Sequence, residues 1–274
     1  MVTLTVEDRK SIPPMGRGMV AVRELILRII GAALQIGATV AVVQVLPPAV
    51  AGIYFKGVII AYGLAALLRG KYELFIAQHF VNPQQSELGA RARAVVRALG
   101  IRVLIRSAIA CAALLVVTTD LDVMDVYLRP YLQTYLPFVL AVPFATLALF
   151  LASTLRATNR SLGSVIVSTY SINVMIIVAG VTVGMWAEDG LLVVSWAFFI
   201  GSLLAALMGV LLTRYVFKVP ADSSQKLSLT AAEWREIYMS TGENGLTGLA
   251  LAGLQWGPMC ALAVLGTAVE VAEY

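Results

Sequence analysis

Seven long apolar runs fix what this chain can become. They cover residues 25–46, 51–76, 101–119, 132–155, 162–185, 190–213 and 244–265. A helix that crosses the hydrocarbon core of a bilayer needs about 20 consecutive, mostly apolar residues. The runs are continuous rather than alternating, so they read as helices and not as the strands of an outer-membrane barrel. The second run is the least clean, with Lys56 near one end and Arg69, Lys71 and Glu73 near the other. With 59% hydrophobic and only 13% charged residues, the chain lacks the charge to cover the surface of a soluble domain of 274 residues. Disorder is excluded by the same figures. The expected class is an all-α, polytopic membrane protein with about seven spans.

The charges orient the spans. Short loops on the cytoplasmic side collect Lys and Arg. With the N-terminus inside, all of the 20 Lys and Arg residues except Lys56 and Arg129 fall on the inner side. The outer loops are short and acidic: Asp120, Asp122 and Asp125, then Glu188 and Asp189, then Glu270 and Glu273. The net charge of +4 thus hides two opposed surfaces, basic inside and acidic outside. Residues 1–24 read as a cytoplasmic tail without the apolar core and small-residue site of a cleaved signal. The stretch from Ser86 to Leu99, SELGARARAVVRAL, reads as a basic helix lying flat on the inner leaflet, held by anionic lipid headgroups. Membrane lipids are therefore one expected partner. No nucleic-acid-binding motif is present.

Residues 34–54 (LQIGATVAVVQVLPPAVAGIY) and 254–274 (LQWGPMCALAVLGTAVEVAEY) align without a gap. They share Leu34/Leu254, Gln35/Gln255, Gly37/Gly257, Ala41/Ala261 and Tyr54/Tyr274. Six spans separate the copies, so both point the same way. Parallel repeats related by an axis along the membrane normal recur in transporters. The expected organisation is a tail (1–24), a six-helix lobe (25–214), a cytoplasmic linker (215–243) and the first helix of a second lobe (244–274). A fragment, a split gene and a half-transporter that pairs with a partner chain are the alternatives this leaves open.

The run LPPAVAGIYFKGVIIAYGLAALLRGKYELFIAQ resembles the loop and second helix of polysaccharide flippases. These belong to the multidrug/oligosaccharidyl-lipid/polysaccharide exporter superfamily. The counterparts of the family pattern are Leu46-Pro47-Pro48, Gly52-Ile53-Tyr54 and the exit from Gly70 to Ile76. The run from Leu155 to Arg160, LRATNR, resembles the inner loop after helix 4, and the restart at segment 7 is a third match. Pro47-Pro48 stands where the family usually has Gly-Pro, and most of the second lobe is missing from the match. The resemblance implies a bacterial inner-membrane protein that flips an undecaprenyl-diphosphate-linked oligosaccharide by alternating access between two six-helix lobes. It adds H⁺ or Na⁺ as candidate coupling ions, and it implies no catalytic residue and no cofactor.

Such cargo needs a cationic, polar cavity that opens sideways for an oily tail. Ionisable groups inside a bilayer cost several kcal/mol and usually face the bundle interior. At 100° per residue, Glu24, Arg28, Gln35 and Thr39 fall within roughly ±40° of one line on segment 1. The plain alternative is that Glu24 and Arg28 reach to the interface while Gln35 makes one interhelical hydrogen bond. On segment 2, Gly52, Lys56, Gly63 and Gly70 share a face about 40° wide. Arg28, Gln35, Thr39 and Lys56 are the cavity candidates, with Lys56 as a diphosphate contact. Snorkelling toward the interface is the competing account of Lys56. Arg69 and Glu73, spaced i and i+4, can pair at the inner end. With Glu24 and Lys71 they are candidates for an inner gate or an interface anchor. On segment 5, Ser161, Ser164, Ser168 and Ser171 lie near one face, and small residues of this kind favour close helix packing over cavity lining. Pro137, Pro143 and Pro258 are expected to kink their helices.

Other chemistries fit less well. His79 is the single histidine, and neither a Cys pair nor HExxH stands near it, so no metal site is read. Cys111 and Cys260 both sit in apolar runs and give no disulfide framework. Asp120-x-Asp122-x-x-Asp125 could hold Mg²⁺ on a diphosphate in a membrane prenyltransferase. A second Asp-rich loop is lacking, however, and the cluster falls outside. A drug/cation antiporter of the same superfamily would want carboxylates inside its spans. Here the central halves of the spans hold none, and the sign of the intramembrane charge favours an anionic substrate.

Overall fold

A computed structural model describes residues 14–70, 72, 76, 86–120, 129–158, 160–186, 190–217, 234, 235 and 239. Regular structure among them is helical throughout. The helices are α1 (Pro14–Val45), α2 (Pro48–Arg69), α3 (Ser86–Asp120), α4 (Arg129–Ala157), α5 (Ser161–Val165), α6 (Ser171–Trp186) and α7 (Gly190–Val216). A π-helical turn, Ile166–Tyr170, joins α5 to α6 in one span. Six spans are long and apolar enough to cross a membrane: Leu25–Val45, Pro48–Arg69, Arg91–Val116, Thr134–Ala157, Ser161–Thr182 and Gly190–Val216. They correspond one for one to the first six apolar runs, but the second stops at Arg69 rather than at residue 76 and the third opens at Arg91 rather than at residue 101. Segment 7 lies outside the described residues, as does most of the linker.

Local chemistry sets the helix ends. α1 is described from Pro14 on, well ahead of the apolar edge at residue 25. The stretch read as the last part of a tail is therefore helical. Between α1 and α2, Pro48 pushes Pro47 into an extended conformation (ψ 149°), which ends the helical path. The N–H groups of Val50 and Ala51 then both return to the Pro47 carbonyl at 2.9 Å and restart the helix. α2 stops at Gly70, whose φ of +71° is a conformation that favours glycine. The span is thus shorter than the apolar run to residue 76. After α4, the Arg160 N–H donates to the Leu155 carbonyl (2.8 Å), closing the turn that carries LRATNR.

The basic stretch from Ser86 to Leu99 departs from expectation. It does not lie flat: it forms the first turns of α3, a continuous helix of 35 residues. Ala92, Val95, Val96 and Leu99 are buried against Phe150, Leu151 and Phe217. At 1.5 Å per residue such a helix is about 50 Å long, well over the ~30 Å of the hydrocarbon core, so its basic turns reach past the core.

α4 is the central helix, and α2, α3 and α7 pack around it; α6 packs on α7, and α1 on α6. Pro137 and Pro143 both lie inside α4, which runs through them as one helix. An aromatic cluster ties α2, α4 and α7 together. Tyr54 meets Phe138 edge-on (5.6 Å), Phe138 meets Phe198 (5.5 Å) and Phe198 meets Tyr62 (5.6 Å). Elsewhere small residues bring backbones close: a methyl group on Gly180 would lie 2.9 Å from the Cβ of Ala41, and one on Gly201 2.9 Å from the Cα of Ile172. Buried hydroxyls of Ser107, Thr146, Thr154, Ser202 and Thr213 donate to carbonyls one turn back, which satisfies them without water. Large exposed side chains such as Ile36, Ile109, Val181 and Leu211 give the bundle the apolar perimeter a bilayer requires.

The spans share one basic end. Arg93 and Arg97 of α3 line a cavity with Arg214 of α7. A Cβ on Gly70, at the end of α2, would lie 3.6 Å from the Arg106 guanidinium. The Tyr170 hydroxyl donates to the Leu27 carbonyl of α1 (3.2 Å). Arg156 and Arg160 flank the α4–α5 turn. Lys56 and Arg129, the two exceptions to the charge bias, belong to the opening turns of α2 and α4, toward the other end.

Candidate functional site

α1 packs through Gly31, Ala38, Val42 and Leu46, all on one face. Arg28, Gln35 and Thr39 form a strip along the flank of that face and are exposed. The Thr39 hydroxyl donates to the Gln35 carbonyl (3.0 Å), tying two residues of the strip. Arg28 follows Leu27, the residue that accepts the Tyr170 hydroxyl, and so sits beside the π-turn at the basic end. The side chain of Glu24 lies outside the described set.

α2 packs on α4 through Tyr54, Gly57, Ala61 and Ala65. Lys56 falls on the opposite side of the helix, on the glycine face, and is half-buried. Its neighbour Gly57 meets Phe138, early in α4, so Lys56 lies toward the end opposite Arg28. The two cations thus mark different depths, with Gln35 and Thr39 between them along α1. Arg69 closes α2 half-buried, while Lys71, Glu73 and His79 lie outside the described residues. Ser164 is buried, and the Ser171 hydroxyl donates to Ile166 within its own helix (3.1 Å), in keeping with a packing role for the serine face. Among the described residues, no group of three His, Cys, Asp or Glu side chains could hold a metal ion. Cys111 is a buried, free thiol.

Three features lay beyond sequence reasoning. The π-turn has no local signature in IVSTY. It packs against α1 at Gly31, where an added Cβ would meet Thr169 and Tyr170 at 3.5 and 3.6 Å. Turns of this type inside α-helices recur at functional sites. The second feature is a 330 Å³ cavity bounded by α3, α4 and α7, away from the α1 strip. Its α3 side could have been read from Arg93, Arg97, Ile101 and Leu104 on one face, but the addition of Arg214 depends on tertiary packing. The third is Trp234, which places its ring 3.5 Å from the Arg102 guanidinium carbon. Comparison with family models, curated proteins and solved structures finds no match.

Proposed function

We propose that this chain carries the six-helix N-terminal lobe of a flippase. Its substrate would be an undecaprenyl-diphosphate-linked oligosaccharide, moved from the inner to the outer leaflet of a bacterial inner membrane by alternating access. The observation that carries the proposal is the sign and placement of the polar groups in the first two spans. Arg28, Gln35, Thr39 and Lys56 run from the basic end toward the other end, and no acidic residue accompanies them within the described spans.

α1 is also the helix the bundle covers least: 17% of its span is buried, against 67% for α4. A strip with Arg28 and Gln35 facing lipid is unfavourable, so this surface calls for a polar partner. A facing lobe would supply one, and the space between would form a cavity with cationic walls. Arg28 would receive the diphosphate near the inner leaflet, and Lys56 would hold it nearer the outer one. Transfer between two such groups moves the charge without leaving it unpaired in hydrocarbon. The lipid tail stays outside, in the bilayer, through a lateral opening beside α1. H⁺ or Na⁺ would supply the coupling.

The test is export of surface polysaccharide in cells that carry Arg28→Gln or Lys56→Ala at matched protein level. Each substitution is expected to reduce export several-fold or more. Unchanged export in both would leave the two cations as interface anchors and remove the basis for an anionic cargo. Resistance to ethidium on expression would instead indicate a cation antiporter.

A further inference from the structure

Between α3, α4 and α7, at the basic end, lies the 330 Å³ cavity that neither the α1 strip nor Lys56 touches. Its polarity changes along the helix axes. Arg93 and Arg97, one turn apart on α3, face Arg214 near the end of α7. Deeper into the span the lining turns apolar, with Ile101, Leu104, Leu151 and Val210. No carboxylate stands among the described lining residues. All three guanidinium groups are exposed, and no hydrogen bond or ion pair engages them among the described residues. Arg102, one turn further along α3, differs: the Trp234 ring covers it.

We propose that this groove holds one anionic phospholipid from the leaflet at the basic end. The phosphate sits among Arg93, Arg97 and Arg214, and the first part of an acyl chain lies along Ile101, Leu104 and Val210. Charge complementarity and the axial gradient together select this occupant. Guanidinium groups bind phosphate oxygens through paired N–H donors, and their fork matches a phosphodiester. A soluble phosphate would leave the apolar half of the groove unused, and a neutral lipid would leave three cations without a counterion. The size suits the occupant, since small-molecule sites usually run from about 300 to 1,000 Å³. Residues of both α3 and α7 line the groove, so a lipid bound there links the two helices through its headgroup. The inference is independent of what the protein transports.

The full chain is placed in phosphatidylcholine nanodiscs doped with phosphatidylglycerol, and the lipid retained after detergent extraction is counted by native mass spectrometry. One phosphatidylglycerol per chain is expected to remain. The pair Arg97→Gln/Arg214→Gln is expected to weaken its retention by roughly tenfold, as fits the loss of two charges near a phosphate. The control pair Arg156→Gln/Arg160→Gln, at the same end but outside the groove, is expected to leave retention unchanged. Equal loss in both pairs would mean a diffuse surface field and would overturn the proposal. A second measurement keeps every arginine. In Leu104→Trp, measured as the difference from the parent chain with its four tryptophans, brominated phosphatidylglycerol should quench the added indole more strongly than brominated phosphatidylcholine, and soluble glycerol 3-phosphate should not reverse the effect. Equal quenching by the two lipids, or reversal by glycerol 3-phosphate, would refute a specific lipid site.

Discussion

Gly57 shows how much of this bundle depends on one absent side chain. A Cβ there would lie 2.5 Å from Cδ2 of Phe138. Phe138 in turn contacts Tyr54 and Phe198, so any shift spreads through the aromatic cluster. Overpacking of this kind typically costs about 1–3 kcal/mol. Gly57→Ala is expected to lower the thermal stability of the detergent-solubilised protein accordingly. Gly37→Ala is the contrast: its Cβ would meet only Ile177, at an ordinary 3.5 Å. Removing a helix-interior glycine there is expected to be neutral or to stabilise by about 0.5–1 kcal/mol. Equal losses in both variants would contradict the packing described. The sequence draws attention to Gly52, Gly63 and Gly70 because they align with Lys56, and it gives no cue to Gly57. The partner of Gly57 lies on another helix, and helical spacing identifies a face without naming what packs on it. Gly70 reads in the sequence as part of the Lys56 face, and the apolar run carries past it to residue 76; its φ of +71° ends α2 at that point instead.

At the scale of helices, apolar runs located all six spans and placed four of them to within a few residues, because hydrocarbon thickness leaves little freedom in length; the second, read to residue 76, ends at Arg69, and the third, read from residue 101, opens at Arg91. Helix ends outside the hydrocarbon were much less legible. For α3, the high density of arginine between Ser86 and Leu99 argues for a surface helix when only charge is weighed. The structure follows a different rule: Gly100 is a weak breaker at about 1 kcal/mol, and no proline interrupts the path. Gly100 is buried against Leu147 and Phe150, so continuing straight buries more apolar surface than lying flat. Spin labels placed one at a time from Arg91 to Arg106 can distinguish the two arrangements. The continuous helix predicts that oxygen accessibility oscillates with a period of 3.6 residues and rises steadily toward Arg106. Constant depth across the first turns would restore the flat helix. The π-turn of span five was invisible to any periodicity, since one inserted residue in a helix leaves composition and apolar spacing nearly intact. It makes the register of α5 and α6 differ, and lets Tyr170 reach Leu27 on α1.

For the molecule as a whole, charge was the most legible property. Which end is basic follows from counting residues in short connections, and the packed helices place those ends together. Which helices face each other did not follow. The sequence gives no reason for α4 to be central or for α1 to be nearly bare, and both matter for function, because the bare helix carries the polar strip. Under the proposed function, the strip of Arg28, Gln35 and Thr39 on the least covered helix would face a polar, anionic cargo. The leaflet distribution of the lipid-linked oligosaccharide tests this most directly, measured in cells with and without the chain while synthesis continues. Loss of the chain is predicted to leave the intermediate accumulated in the inner leaflet and depleted from the outer one, and re-expression should reverse this. An unchanged distribution, with normal surface polysaccharide, would contradict the assignment.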